Sequence, residues 1–313
     1  MQNLPLIIGK LQLPHRLIQG PLAGFSCAPF RSLFSQYTSP AYCVTEMLSA
    51  HDVLYKHTIN NRYLYRSPEE NYLCYQISGT DPFLMRDAAV KLEGIGADLI
   101  DINCGCPKPK IRKKGAGSAL LEDPNRLIAI IQSIRVAITC PLTVKIRIQG
   151  NNNDIELAKK ISDAGADALI VHGRRWTDDY DKPCNLEQIA LIKEAIQIPV
   201  IVNGDIADHH SLHDAINKTQ ADAFMISRAG MGKPWLFKKL LDEGFVSIET
   251  SRIVSLFMMH LEGLAALESE YQAVLQSKSL VRYYFRNLLN SAWMESFYKL
   301  SSLEGIVGAL QLV

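Results

Sequence analysis

The sequence predicts a (β/α)8 TIM barrel followed by a small all-helical C-terminal domain, and three observations support this prediction. Eight short apolar runs, each ending in polar or glycine residues, recur between positions 17 and 230. Segments of helical periodicity separate several of these runs. After residue 245 strand signals and proline are absent, and helical periodicity continues to the C-terminus. We therefore expect an α/β barrel over 1–245 and a helical domain over 246–313.

The predicted strands follow one another in a regular order. In sequence they are 17–24, 42–48, 72–79, 98–105, 142–148, 168–174, 198–205 and 223–230. The clearest helical segments between them are 82–97, 124–138, 154–166 and 185–196. An open doubly wound sheet is the alternative, but it normally carries a G-x-G-x-x-G fingerprint after its first strand. The run GPLAG lacks that fingerprint, so the barrel is favoured.

Composition and cysteine usage restrict the class of protein. The net charge is +1, so any contact with nucleic acid depends on local basic patches rather than on an overall basic field. The seven cysteines are scattered, with no spacing typical of a disulfide framework or a zinc site. No apolar run approaches 18 residues. We expect a cytoplasmic monomer with no structural metal and no membrane contact.

Polar residues collect at the C-terminal ends of the predicted strands, where barrels carry their chemistry. They are Gln76, Asn103, Cys106, Lys145, His172, Asn203, Asp205 and Arg228. A single histidine or asparagine at such a position more often satisfies loop backbone groups. Eight polar residues in register instead predict a pocket, with an anion site of phosphate size near the last two strands.

Several short motifs carry a resemblance to a known family. They are PLAG (21–24), QISG (76–79), DIN (101–103) with GCP (105–107), GAGSALL (115–121), KIR (145–147), HGR (172–174), NGD (203–205) and SRA (227–229) with PW (234–235). In this order the sequence resembles the tRNA-dihydrouridine synthases, flavoenzymes that reduce a uridine base in tRNA. The helical C-terminal domain falls where that family has its RNA-binding domain.

The resemblance implies that the pocket binds FMN. The implied cofactor contacts are Pro21, Leu22, Ala23, Gln76, Asn103, Lys145, His172, Asn203, Gly204, Asp205, Ser227 and Arg228. Lys145 would stabilise the negative charge that reduction leaves on the flavin pyrimidine edge. Arg228 and the neighbouring loops would hold the phosphate, while Asp205 would orient loop amides or a ribityl hydroxyl. The alternative for Lys145 is an ion pair inside the barrel with Glu46 or Asp101.

The resemblance also implies the roles in catalysis. Reducing the uracil C5–C6 bond requires a hydride at C6 from reduced flavin and a proton at C5. Cys106 matches the family's proton donor, and a thiol of ordinary pKa is protonated yet transferable at neutral pH. Cys104 matches no motif position, so we expect it to be a small packing residue. NADPH as the transient electron donor is implied by the resemblance alone.

Basic residues beside Cys106 and in the C-terminal domain predict contact with tRNA phosphates. The run after Cys106 comprises Lys108, Lys110, Arg112, Lys113 and Lys114. Further candidates are Arg174 and Arg175 at the rim of the pocket, with Trp176 as a stacking surface, and Lys278, Arg282 and Arg286, whose spacing of four predicts one stripe on a helix. For the run after Cys106 and for the stripe in the C-terminal domain, the alternative is a solvated face without a partner.

Two other functions are compatible with parts of the sequence. An FMN barrel acting on a free pyrimidine-like metabolite would explain Lys145 and Arg228, but it would explain neither basic group. An RNA-binding module without catalysis would explain the basic groups, but not the predicted flavin contacts.

Overall fold

The computed structural model describes residues 2–286 and 288–311 and contains a closed parallel barrel. A hairpin of β1 (Leu6–Ile8) and β2 (Leu11–Leu13) precedes it. The barrel strands are β3 (Leu17–Gln19), β4 (Cys43–Val44), β6 (Leu73–Ser78), β7 (Leu99–Cys104), β8 (Leu142–Arg147), β9 (Ala168–His172), β10 (Val200–Asn203) and β11 (Ala223–Ile226). Each of the eight predicted strands is present, which confirms the predicted fold class.

Pairing between the first and last strands closes the ring. Ile18 of β3 pairs with Met225 of β11, and Cys43 of β4 pairs with Leu73 of β6, both in parallel. The predicted second strand is interrupted, because β4 ends at Val44 and β5 (Leu48–Ser49) pairs separately with the end of β6.

The barrel strands are buried on both faces, as parallel strands covered by helices usually are. Side chains pointing into the barrel form one core with the N-terminal hairpin, including Leu13, Ile18, Tyr42 and Ile170. Side chains pointing outward form a second core with the surrounding helices. The hairpin packs with residues that begin strands, such as Leu99, so it covers the N-terminal end of the barrel.

Nine helices of the barrel region precede residue 245 within the part of the chain that the structure describes. They are α1 (Ala28–Ser32), α2 (Ala50–Tyr55), α3 (Pro82–Gly94), α4 (Pro109–Arg112), α5 (Pro124–Arg135), α6 (Asn153–Asp163), α7 (Leu186–Ala195), α8 (His209–Thr219) and α9 (Leu236–Leu241). The side chains of Asp81, Asp123, Asn185 and Asp208 cap the N-termini of α3, α5, α7 and α8.

Four further helices follow and pack on the barrel through a shared core. They are α10 (Thr250–Leu267), α11 (Glu270–Tyr284), α12 (Ser291–Tyr298) and α13 (Leu303–Leu310). Their apolar core includes Phe257 and Tyr284, together with Cys27 and Leu33 from the first helical segment of the barrel. In the described residues, no helix combines the length and apolar character needed to cross a membrane.

Candidate active site

A cleft of about 840 Å³ lies at the C-terminal ends of the barrel strands. Its lining contains Cys106 and all twelve residues that the sequence predicted as cofactor contacts. The common cause is the parallel barrel, because it brings the carboxyl ends of all strands to the same side. Residues spread over more than half of the chain therefore meet in one site.

A buried hydrogen-bond chain connects β6 and β7 at the floor of this cleft. Gln76 Nε2 donates to Asp101 Oδ2 at 2.7 Å, and Asn103 Nδ2 donates to Gln76 Oε1 at 2.7 Å. The other oxygen of Asp101 accepts from Thr143 Oγ1 at 2.7 Å. Burial raises the pKa of Asp101 to about 6, against the opposing effect of these hydrogen bonds. The chain fixes the orientation of both amide side chains toward the cleft.

Lys145 is a buried amine whose partner is an amide rather than a carboxylate. Its Nζ donates to Asn203 Oδ1 at 2.8 Å, and Asn203 Nδ2 donates to Met225 O at 2.9 Å. Burial lowers the pKa of Lys145 to about 8, although the charge of Asp101 acts in the opposite direction.

The alternative of an ion pair for Lys145 is wrong within the described residues. Glu46 Oε1 accepts a hydrogen bond from Arg62 Nε at 2.7 Å, and both oxygens of Asp101 accept hydrogen bonds from neutral groups. Lys145 therefore presents a poorly compensated positive charge to the cleft, which suits an electron-rich ligand.

Arg174 lies inside the site, not at its rim. Its side chain is only 2% exposed, and its Nη2 donates to both oxygens of Asp205 at 2.7 Å. Its Nε donates to Lys182 O at 2.6 Å, and its Nη1 lies 3.3 Å from His172 Nε2. The predicted position of Arg174 on an open tRNA-facing rim is therefore corrected, because its guanidinium is buried and committed to an internal carboxylate.

The neutral form of His172 is strongly favoured. Burial and the neighbouring charges of Lys145, Arg147 and Arg174 hold the pKa of His172 far below its usual value. The imidazole therefore contributes hydrogen bonding to the cleft without adding a further cation.

Arg228 stands at the mouth of the cleft beside Tyr180 and Asp205. Its guanidinium carbon lies 3.9 Å from the centroid of the Tyr180 ring, and its Nη2 lies 3.9 Å from Asp205 Oδ1. Asp205 adopts a left-handed backbone conformation with φ of 56° and accepts from the Cys184 amide at 2.9 Å. Asp205 thus holds the loop after β9 against the loop after β10.

The loop that carries Cys106 is held on both sides of this residue. Cys106 N donates to Asn103 Oδ1 at 3.0 Å, while Cys106 O accepts from Ser118 N at 3.1 Å and from Ser118 Oγ at 3.0 Å. Gly117 has φ of 62°, and a Cβ there would lie 2.7 Å from Cys106 O. The half-buried thiol lines the cleft, whereas Cys104 is fully buried and its pKa is raised well above the usual value by burial.

The basic run after Cys106 divides into two groups. Lys108, Lys110, Lys113 and Lys114 are exposed, and Lys108 also lines the cleft. Arg112 instead pairs with Glu122 at 2.7 Å, donates to Ser118 Oγ at 3.0 Å and lies 3.7 Å from the Trp176 ring centroid. Nearby, Arg175 is exposed and pairs with Asp178 at 2.9 Å. The lysines are available to a partner, while both arginines have partners within the protein.

The predicted stripe of Lys278, Arg282 and Arg286 on one helix is wrong. Helix α11 ends at Tyr284, so Arg286 lies beyond it, where it lines the cleft. Lys278 Nζ donates to Phe297 O, Tyr298 O and Leu300 O, and thereby satisfies carbonyl groups at the end of α12. Arg282 is exposed on α11.

Twelve cleft residues were not among the predicted site residues: Met47, Gly105, Pro107, Arg147, Tyr180, Ile206, Ala207, Met225, Ala229, Met231, Lys233 and Tyr283. Arg147 had a local signal, because side chains two positions apart on a strand share a face and Lys145 was already placed in the pocket. Tyr283 had none, since it reaches the cleft only through the packing of the C-terminal helices, whereas Lys233 follows the last barrel strand, where cleft residues are expected. In the ranges 2–286 and 288–311, no three histidine, cysteine or acidic residues converge as metal ligands do.

Comparison with known proteins gives consistent matches. The model of the family described as "Dihydrouridine synthase (Dus)" matches residues 18–303. The chain is 36% identical to tRNA-dihydrouridine synthase B of Vibrio parahaemolyticus, over 89% of each chain. It is 35% identical to tRNA-dihydrouridine synthase B of Pseudomonas aeruginosa, over 90% of this chain and 87% of that protein.

A further relative, matched over a shorter part of the chain, and a solved structure extend the comparison. Probable tRNA-dihydrouridine synthase 1 of Synechocystis sp. is 39% identical over 74% of this chain and 66% of its own. A complex of 2-naphthoyl-CoA reductase with 2-naphthoyl-CoA superimposes with a TM-score of 0.59 at 14% identity, covering 76% of this chain and 52% of that one. The second similarity shows a shared fold.

Proposed function

This chain belongs to the dihydrouridine synthase family, and from that premise we propose that it reduces the C5–C6 double bond of specific uridines in tRNA. The proposed cofactor is FMN, and the proposed electron donor is NADPH. The observation that carries the proposal is the single cleft in which Cys106, Lys145 and Arg228 meet, with exposed lysines beside the cysteine.

The residues of the cleft fit FMN. Its volume of about 840 Å³ lies in the range usual for cofactor sites. Gln76, Asn103 and Lys145 offer fixed polar groups for the pyrimidine edge of the flavin, and the loops after β10 and β11 offer Arg228 for the phosphate. When bound and reduced, FMN supplies the hydride for C6 of the uracil.

Lys145 provides the electrostatic part of the mechanism. Burial destabilises the charged form of Lys145. An anionic group bound in the cleft would favour the protonated amine and offset this cost. Asn203 holds the amine in place through the 2.8 Å hydrogen bond. Because His172 is neutral, Lys145 rather than His172 would carry the proton at the pyrimidine edge of the flavin.

Cys106 provides the proton. The S–H bond breaks as a C–H bond forms at C5, and the resulting thiolate is reprotonated from solvent. The hydrogen bonds of Asn103 and Ser118 to the Cys106 backbone fix the sulfur relative to the cleft. Cys104 is excluded from this role by its burial.

The exposed lysines after Cys106 are proposed to bind tRNA phosphates. A uridine must leave its stack to reach the base of a barrel cleft, and this requires contacts to the RNA backbone around the mouth. Lys108, Lys110, Lys113 and Lys114 lie next to the proposed acid and are free of ion pairs among the described residues. The C-terminal helices, which border the same cleft through Tyr283, would extend the contact.

The test is reduction of tRNA by the purified protein. The FMN-loaded protein, NADPH and an unmodified tRNA transcript should give dihydrouridine, detected by mass spectrometry as a nucleoside with two added hydrogens. Mapping in tRNA from cells with and without the gene would identify the position. Turnover of free uracil or uridine at a higher rate than tRNA would favour the metabolite-reducing alternative, and a protein unable to bind FMN would favour a non-catalytic RNA-binding module.

We also propose a cytoplasmic location and a monomeric state. All seven cysteines are unpaired, as is usual in a reducing compartment. Sedimentation of the FMN-loaded protein would measure the oligomeric state directly.

A further inference from the structure

Lys233 and Arg286 face the same cleft from two different parts of the fold. Lys233 follows the last barrel strand, and Arg286 follows helix α11 of the C-terminal region. We propose that they form one anion site across this junction, which binds a backbone phosphate of the RNA substrate. The inference rests on the proposed function and adds Lys233 and the junction itself to the substrate-binding residues.

Close backbone packing brings the two segments together. Gly232 has φ of 67°, and a Cβ there would lie 2.5 Å from Tyr283 C and 2.6 Å from Tyr284 N. Only glycine therefore allows the barrel loop to lie directly on the end of α11. Lys233 directly follows Gly232. Tyr284, which Gly232 approaches, lies two residues before Arg286.

The charges at this junction lack a local counter-charge. Within residues 2–286 and 288–311, neither Lys233 nor Arg286 forms an ion pair with a carboxylate, whereas the buried Arg174 does. Partial burial, then the charges of Arg286 and Lys239, lower the pKa of Lys233, and Asp208 opposes this shift. The Asp208 carboxylate is already engaged in capping α8.

Two cations that repel each other at the wall of a cleft are stabilised when an anion binds between them. A lysine and an arginine both suit phosphate, since one provides a compact charge and the other a planar set of donors.

The position of the pair favours an RNA phosphate over the phosphate of FMN. Arg286 is exposed, so it lies on the open side of the cleft. The proposed FMN phosphate site is at Arg228, next to the loop after β10. Tyr283 lines the cleft beside the pair and offers an aromatic surface to a nucleotide. A polymer entering the mouth therefore places a phosphate between the barrel and the C-terminal helices.

The experiment measures binding of an unmodified tRNA transcript to the FMN-loaded protein as a function of salt. The variants are Lys233→Ala, Arg286→Ala and the double variant, with Lys233→Arg and Arg286→Lys as charge-conserving partners. Lys218→Ala is the matched control, because Lys218 pairs with Asp214 on α8 and does not line the cleft. FMN content is measured for each protein from its visible absorbance.

We expect the double variant to lower the log–log salt slope by about 0.7–0.9, the contribution of one neutralised phosphate, and each single alanine variant to lower it by part of that amount. The charge-conserving variants and Lys218→Ala should keep the parent slope, and FMN content should stay unchanged throughout. If the double variant keeps the salt slope of the parent protein, this inference is overturned, while the proposed function is not affected. Loss of FMN in the alanine variants would assign the pair to the cofactor phosphate instead. Absence of salt-dependent tRNA binding by the parent would overturn the proposed function together with the inference.

Discussion

Lys145 Nζ lies 2.8 Å from Asn203 Oδ1, and this hydrogen bond joins β8 to β10 across the intervening strand β9. Both side chains are buried at the floor of the cleft. The amide orients the amine, and the charge of Asp101 compensates the amine only in part, so the site favours a ligand with negative charge.

Lys145→Ala should lower the FMN content of the purified protein. The variant loses the buried cation and leaves Asn203 Oδ1 without its donor. Loss of a charge-assisted contact of this kind is worth on the order of 1.5–3 kcal/mol, or roughly ten- to a hundredfold in affinity. The flavin-to-protein absorbance ratio after gel filtration measures the effect. Lys159→Ala, which removes an exposed lysine paired with Glu156, is the control. Equal flavin content in the two variants would show that Lys145 does not contact the cofactor.

Arg228→Ala should also weaken FMN binding, through its phosphate. The guanidinium stacks on Tyr180 and only approaches Asp205, so it keeps donors for a ligand. Arg228→Lys keeps the charge but not the planar donor set, and should recover part of the affinity. Titration of the FMN-free protein with FMN, followed by fluorescence quenching, gives the dissociation constants. Riboflavin, which lacks the phosphate, should bind parent and variant equally, and a difference with riboflavin would contradict the assignment.

Cys106→Ala should slow uridine reduction at the step that follows reduction of the flavin. The variant retains the cofactor contacts, but it lacks the proposed acid. Flavin reoxidation by unmodified tRNA in a single turnover should slow by roughly 10²–10⁴-fold, the usual contribution of a positioned acid. Cys104→Ala is the matched control, because that thiol is fully buried in β7. The assignment is wrong if Cys104→Ala is the variant that stalls.

Arg62→Ala should destabilise the docking of the C-terminal helices. Arg62 donates to Glu46 Oε1 at 2.7 Å and to Gly24 O at 3.0 Å in the barrel, and to Glu268 Oε2 at 2.5 Å in the C-terminal region. Its removal leaves the buried Glu46 without a counter-charge, which costs about 3–5 kcal/mol when a buried pair is broken. Hydrogen exchange of α10 and α11 should accelerate. Arg126→Ala, which breaks an exposed pair with Asp123, should leave exchange unchanged.

The C-terminal helices should lose stability in mild acid through His260. This side chain is buried, its Nδ1 lies 3.0 Å from Tyr284 Oη, and burial lowers its pKa to about 3. Between that value and about 6.5 the unfolded chain binds a proton that the folded chain does not, so the free energy of unfolding falls as pH falls. The loss is about 1.4 kcal/mol per pH unit in this window.

His260→Gln should therefore flatten the pH dependence of stability. Urea unfolding at about pH 5 and about pH 7 compares the two proteins, and the variant should lose about 2 kcal/mol less than the parent between them. An equal loss in both proteins would mean that His260 does not set the acid sensitivity.

Local patterns were sufficient for the barrel and for most of the cleft. Eight buried strands give apolar runs of fixed length, and residues such as Gln76, Asn203 and Arg228 follow those runs directly. Once the strands form a parallel barrel, their C-terminal ends must meet on one side. The sequence alone therefore determined which residues at the strand ends share the cleft, although it gave no direct distance between any two of them.

Tertiary structure decided the partners of the charged residues. Arg174 follows a strand as the motif predicted, but Asp205, distant in sequence, draws its guanidinium inward. Lys278 has a helical spacing typical of an exposed stripe, yet it caps α12, and Arg286 reaches the cleft because α11 ends at Tyr284. The physical reason is that backbone periodicity is set by near neighbours, whereas the partner of a long charged side chain is set by whichever segments packing brings within a few ångströms.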